Sequence, residues 1–177
     1  MSSRLAYPLD RVAHWDVALC ARCNRMSRRA AVRTLFRVVS HLGDGVFWYA
    51  LMLALLVRFR AEATVAVLHM LVVGVCCTAV YKWIKKRTLR PRPYQVHPHI
   101  VASGKALDQF SFPSGHTLHA VGFSGTALAY YPELASLLLP FTVLVALSRP
   151  ILGLHYPSDV VAGAVLGGLI AGLSFCL

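Results

Sequence analysis

Three short stretches of this 177-residue chain carry side chains that could act together on a phosphate. The first is Lys85-Lys86-Arg87-Thr88-Leu89-Arg90-Pro91-Arg92-Pro93, the second Phe112-Pro113-Ser114-Gly115-His116, and the third runs from Ser148 and Arg149 through His155 to Asp159. Lys85, Arg92 and Arg149 are cations that suit a multiply charged oxyanion, and the Arg fork grips phosphate oxygens two at a time. Ser114 and Gly115 fall just after Pro113, where a helix should start; free amides and the positive end of the helix dipole favour an anion there. Gly115 also lets the backbone approach closely. Asp159 follows His155 by four residues with Pro157 between them. Pro favours a first helical turn, so the carboxylate can reach back to one ring nitrogen and leave the other as a nucleophile. His116 arrives from a different helix and can give a proton to a leaving oxygen. These groups amount to a phosphoryl-transfer site that needs no metal and no cofactor. Asp159 is the one carboxylate expected near it, which argues against a two-metal mechanism.

The elements that position these residues must be membrane helices. Hydrophobic residues make up 57% of the chain and charged residues 14%, yet 18 Lys and Arg face 7 Asp and Glu, for a formal net charge of +11. A soluble domain carries roughly 25% charged residues, and a nucleic-acid binder usually more, so nucleic acid is not an expected partner. So apolar a chain has no reason to stay disordered, and five Cys are too sparse for a secreted disulfide scaffold. Stretches 46–57, 63–81 and 160–177 carry no Asp, Glu, Lys or Arg, and 117–147 carries only Glu133. The expected fold is an all-α, polytopic membrane bundle with about five spanning helices near 43–58, 62–84, 115–131, 133–148 and 157–176. The third and fourth are short for full spans. In the last, Gly163 and Gly167 form a small-xxx-small pair that permits close helix approach, inside the bundle or between two copies in a homodimer.

Residues 1–42 are expected to form a basic segment ahead of a membrane core at 43–177. This segment holds Arg4, Arg11, Arg22, Arg25, Arg28, Arg29, Arg33 and Arg37. Val32, Leu35, Phe36 and Val39 recur at helical spacing, which reads as an amphipathic helix lying in the interface, with a solvated basic arm as the alternative. No cleaved signal peptide is expected after Met1. His41-Leu42-Gly43-Asp44-Gly45 reads as the turn that sends the chain into the membrane. Cys20-Ala21-Arg22-Cys23 has metal-like spacing, but no second pair completes a site, so two ordinary thiols are expected. With helices alternating across the bilayer, all three clusters and the basic segment share one side.

The clusters resemble the three-part signature of the type-2 phosphatidic acid phosphatase superfamily, which also includes the vanadium haloperoxidases. Lys85 is followed after six residues by Arg92-Pro93; Pro113-Ser114-Gly115-His116 stands intact; Ser148-Arg149 is followed after five residues by His155 and after three more by Asp159. The likeness spans 85–159, has no departure at the signature positions, and follows the helical order of the small bacterial membrane-bound branch. The resemblance implies that His155 attacks phosphorus and becomes transiently phosphorylated, that Asp159 orients it, and that His116 protonates the leaving group. It also implies that Lys85, Arg92, Ser114, Gly115 and Arg149 hold the phosphate oxygens. Family substrates are lipid phosphates and diphosphates: phosphatidic acid, phosphatidylglycerol phosphate and polyprenyl diphosphates such as undecaprenyl diphosphate. Arg90 and Lys86 are candidates for a second phosphate, Tyr94 and Phe110 for the cleft wall, and His119, one turn after His116, for a supporting role. His97 and His99 read as a solvated loop.

The leading expectation is a metal-independent lipid phosphatase. A lipid phosphotransferase with the same site is the alternative within that chemistry, and a non-catalytic anion-binding membrane protein is the alternative outside it. A haloperoxidase is disfavoured, because those enzymes are soluble and larger. Of the 18 Lys and Arg, 16 fall on the site side and two, Arg58 and Arg60, on the other. The positive-inside rule then favours the cytoplasmic face of a bacterial inner membrane, whereas many bacterial members of the resembled family work from the periplasmic face.

Overall fold

The computed structural model describes residues 6–176, with side chains from residue 13; Arg4 and the side chain of Arg11 lie outside what it describes. Among the described residues every regular element is helical. Two N-terminal helices, α1 (Ala6–Met26) and α2 (Ala30–His41), precede α3 (Phe47–Phe59), α4 (Thr64–Thr88), the single turn α5 (Pro93–Val96), α6 (Gly115–Tyr130), α7 (Ala135–Ile151) and α8 (Pro157–Leu173). Ala30–Val96, a run of joined helices, and Pro132–Ile151 are long and apolar enough to cross a bilayer, and α8 is a shorter apolar helix. Leu53 and Val57 on α3, Val65 and Val72 on α4, Val143 on α7 and Leu169 on α8 are exposed. Apolar side chains turned outward on several helices suit a lipid surround, where helix association comes from packing and hydrogen bonds rather than from a hydrophobic effect.

Helix α6 is the centre of the bundle, packed on α8, α4 and α7. Its contact with α8 uses the small residues anticipated for close approach. A Cβ on Gly163 would lie 2.6 Å from the Ser114 carbonyl oxygen, and one on Gly167 would press on the Leu118 carbonyl and lie 3.2 Å from the Gly122 amide. This face is therefore filled by α6, and the homodimer expected as its other use has no free surface there. Gly163→Ala is expected to destabilise the fold by about 1–3 kcal/mol through overpacking, read as a lower thermal midpoint in detergent; an unchanged midpoint would contradict this packing. Below the contact, an aromatic core joins α3 to α6 and α7, with Phe47 stacked on Phe141 at 3.8 Å and Trp48 at 5.4 Å from Phe123.

The N-terminal segment differs from a solvated arm. Phe36 and Val39 of α2 are buried, but Leu35 is exposed, so the apolar stripe is narrower than its spacing suggested. Helix α1 docks on the loops that follow α5 and α7. The Asn24 amide donates to the Val101 and Ile151 carbonyls at 2.9 and 3.0 Å, and its carbonyl oxygen accepts from the Val101 amide at 2.9 Å. Arg37 donates to the Ser103 carbonyl. The turn expected at 41–45 is a wide helical turn, Leu42–Val46, broken by Gly45 at φ 138°, a conformation that favours glycine.

Candidate active site

Each functional side chain sits at a helix end or in the loop beside one, all at the same end of the bundle. Lys85 is in the last turn of α4, which Leu89 terminates in the left-handed conformation (φ 49°). Arg92 precedes α5, Ser114 caps α6, Arg149 is in the last turn of α7, and Asp159 is in the first turn of α8. His155 occupies the α7–α8 loop. Lys85, Arg92, Arg149, His155 and Asp159 are all buried.

The nucleophile's tautomer follows from its neighbours. His155 Nε2 lies 3.2 Å from an Arg92 guanidinium nitrogen. Guanidinium only donates, so Nε2 accepts and its lone pair faces the cations; the ring proton belongs on Nδ1. That nitrogen is 3.5 Å from the Asp159 carboxylate, near but without a formed hydrogen bond. Asp159 instead accepts from the Tyr156 amide at 2.9 Å, closing the start of α8. Burial pushes the His155 pKa well below its ordinary value, and the charges of Arg149, Arg92 and Lys85 push the same way. The imidazole is therefore neutral, as a nucleophile requires.

The cations are arranged unequally. Lys85 and Arg92 share the Asp108 carboxylate, each at 2.7 Å, and Arg92 also donates to the Leu154 carbonyl at 2.8 Å. Arg149 has one nitrogen on Ser40 Oγ at 2.6 Å, while its Nε and other terminal nitrogen are buried without a partner. A buried guanidinium with two unmet donors is costly unless an anion completes it. All three cations, with Gly115, His116, His119 and His155, line one cavity of about 560 Å³. The cavity continues along α4 from Lys85 to Leu71, roughly 21 Å at the helical rise, past Trp48, Tyr49, Gly74 and Val75. One end is cationic and the other apolar.

Several expectations are corrected. Arg90 does not face the cavity; it donates to Asp159 at 2.6 Å, Asp16 at 2.7 Å and Ser158 at 2.7 Å, and lies 4.1 Å over the Tyr156 ring. Its neighbour Asp159 needs charge balance, and that contact claims it. Tyr94 packs between the buried clusters around Leu154 and Tyr156 instead of lining the cleft, and neither Lys86 nor Phe110 lines it. Ser114 is turned away from the cavity: its hydroxyl sits 3.0 Å from that of Thr117 and its amide donates to the Asp159 carbonyl at 3.0 Å. The amides left without helical acceptors at this first turn are those of Gly115 and His116. His119 does face the cavity, with Nδ1 on the Gly115 carbonyl at 2.8 Å and Nε2 on Thr78 Oγ1 at 3.0 Å.

Asp159 is not the one carboxylate near the site. Asp108 bridges Lys85 and Arg92, Asp44 bonds His116 Nε2, and Asp16 from α1 holds Arg90 and Ser158. Sequence reasoning missed all three; the only available signal was that seven acids in so basic a chain each need a reason. Among the described residues, no group of three His, Cys, Asp or Glu side chains converges with metal-holding geometry. Cys20 is buried with its thiol 3.5 Å from the His155 carbonyl, and burial pushes that thiol up to about 12.

The chain is similar to known proteins. Over 98 residues the chain is 39% identical to a decaprenylphosphoryl-5-phosphoribose phosphatase of Mycobacterium tuberculosis, covering 54% of this chain and 51% of the relative, so the match spans about half that relative's length. Over 148 residues it is 31% identical to an undecaprenyl-diphosphatase of Sulfolobus acidocaldarius, covering 82% and 70%. A transmembrane PAP2 type phosphatidylglycerolphosphate phosphatase from Bacillus subtilis superposes with a TM-score of 0.76 at 25% identity, over 94% of this chain and 85% of that one. With its outward apolar helices and this likeness, the chain is a membrane protein. Residues 63–177, which hold every signature position, match the model of the PAP2 superfamily, and the chain belongs to that superfamily.

Proposed function

We propose that this protein is an integral-membrane lipid phosphatase that works without a metal through a phosphohistidine on His155. The observation that carries the reading is the pair of unmet Arg149 donors buried in the same cavity as the lone pair of His155 Nε2. A phosphate seated there completes Arg149 and replaces Asp108 as the partner of Lys85 and Arg92. In the first step Nε2 bonds to phosphorus, the phosphorus–oxygen bond to the lipid breaks, and His116 gives its proton to the departing oxygen. In the second, water attacks the phosphohistidine, His116 takes the water's proton, and inorganic phosphate leaves. Asp159 supports the charge that develops on the His155 ring, and Arg90 with Asp16 fixes that carboxylate from behind.

The apolar continuation of the cavity supports a lipid as the leaving group. The named activities of the relatives favour polyprenyl-linked phosphates and diphosphates, with phosphatidylglycerol phosphate as the glycerolipid counterpart; the superfamily resemblance adds phosphatidic acid. The test is phosphate release by the purified protein in detergent on phosphatidic acid, phosphatidylglycerol phosphate, and polyprenyl mono- and diphosphates, with excess chelator present. Release from at least one is expected; no release from any, or release abolished by chelator, would contradict the reading.

The same proposal puts the membrane core at 43–177, with about five crossings, in a bacterial inner membrane and the site on the cytoplasmic face. Docking of the Arg-rich α1 and α2 at the site end supports this, because it keeps those charges on one side. Lys105 is exposed at that end. In a background without the native cysteines, Lys105→Cys should react with an impermeant thiol reagent in inside-out vesicles and not in intact cells; the reverse pattern would place the site outside.

A further inference from the structure

Asp44 occupies a position that the signature does not account for. It lies in the wide turn Leu42–Val46 between α2 and α3, and such turns recur at functional sites because the extra residue re-aims a side chain. Glycines flank it for separate reasons. Gly43 lies so close to α7 that a Cβ would meet Val145 at 3.1 Å, and Gly45 takes φ 138°. The result is a carboxylate bonded through Oδ1 to Nε2 of His116, with His41 Nδ1 3.6 Å from its other oxygen. Asp44 also stands between two cavities. It lines the large one with His116 and a smaller polar one of about 340 Å³ bordered by Arg37, Ser40, His41, Ser103 and Lys105.

We propose that Asp44 is the positioning residue of the proton donor: it fixes the tautomer of His116 and balances the charge of its protonated ring. A carboxylate only accepts, so the nitrogen it holds, Nε2, carries a hydrogen. Nδ1 is left as the ring nitrogen that a substrate in the cavity can reach. With a proton on Nδ1 as well, the ring is a cation; burial and Arg149 disfavour that state, and Asp44 supplies the opposing charge that partly offsets them. Donation from Nδ1 to the departing oxygen leaves a neutral ring, still protonated on Nε2. The same Nδ1 then accepts the proton of the attacking water, which the small polar cavity can admit beside Asp44 while lipid fills the large one.

The inference rests on His116 as proton donor, and the dependence on leaving group separates its failure from failure of that reading. An alkyl phosphate such as phosphatidic acid needs a proton on its departing oxygen; p-nitrophenyl phosphate does not. With the full-length protein in detergent, Asp44→Asn should lower the single-turnover rate of leaving-group release about 100-fold on phosphatidic acid, within the range of general acid catalysis, and less than about fivefold on p-nitrophenyl phosphate; hydrolysis of the phosphohistidine, which also uses His116, is common to both substrates and falls outside this readout. Asp44→Glu, which keeps the charge, should restore most of the wild-type ratio of the two rates, and His116→Ala should show the Asp44→Asn pattern. Equal losses on both substrates, or no loss on either, would overturn the role of Asp44. If His116→Ala shows the split and Asp44→Asn does not, the proton donor stands and the positioning role falls.

Discussion

Replacing His155 by Ala is expected to abolish phosphate release, with a loss on the order of 10⁴-fold or more, as when a covalent catalyst loses its nucleophile. The expectation follows from geometry. Of the two His155 ring nitrogens, Nε2 is the one whose lone pair faces the cationic end of the cavity, because Arg92 can only donate to it. The fold should survive the change, since the His155 side chain donates no hydrogen bond that the structure would lose. Asp159→Asn should give a smaller but large loss, because the amide oxygen can still accept from one of the two donors, Tyr156 or Arg90, while the other bond and the orienting charge are gone. The protonation state supplies a second readout. Because burial and three cations hold the pKa of His155 below its ordinary value, the neutral ring persists as pH falls. Its ¹⁵N shifts should remain those of neutral imidazole at pH 5.5, and titration of this ring near 6.5 would contradict the buried, cation-flanked site.

Arg149→Lys is the second large effect, expected to lower kcat/KM about 10²–10³-fold, comparable with losing one preorganised donor to a developing oxyanion. Arg149 is fully buried and reaches Ser40 with one nitrogen, leaving two donors for phosphate oxygens. A lysine offers one point charge and no fork, so it cannot hold Ser40 and two phosphate oxygens in the same plane. Vanadate, which can take the shape of the phosphorus-centred transition state, should inhibit the wild type competitively and the variant far more weakly. Arg149 has no carboxylate within ion-pair distance among the described residues, so its replacement orphans no acid and the variant should fold. Full activity in Arg149→Lys would remove this residue from the phosphate cradle.

What could be read in the sequence divides along local and long-range lines. Lys85 with Arg92, Pro113 to His116, and Arg149 with His155 and Asp159 are legible because each set lies on one helix end and its adjoining loop, where spacing fixes relative position. Helix order then brings the ends together. Asp44, Asp108 and Asp16 are not legible that way. Each meets its partner across 72, 16 or 23, and 74 or 142 residues of chain, and Asp44 sits in a Gly-Asp-Gly run that looks like a plain turn. Arg90 misled by adjacency: it is two residues from Arg92, yet it pairs with Asp159 and Asp16 while Arg92 pairs with Asp108. In the basic N-terminal segment, composition drew attention to the arginines alone. Asp16, Cys20 and Asn24, which carry no pattern at all, are what dock α1 against the site.

The central claim is that the phosphoryl group passes through His155. The most direct test is to quench the purified protein within the first turnover on a ³²P-labelled lipid phosphate and assay the chain for label. Label that is stable to base, lost in acid, and absent from His155→Ala is the expected result. A wild-type protein that releases phosphate at full rate with no labelled chain at any quench time, or label of the same lability in His155→Ala, would contradict the account.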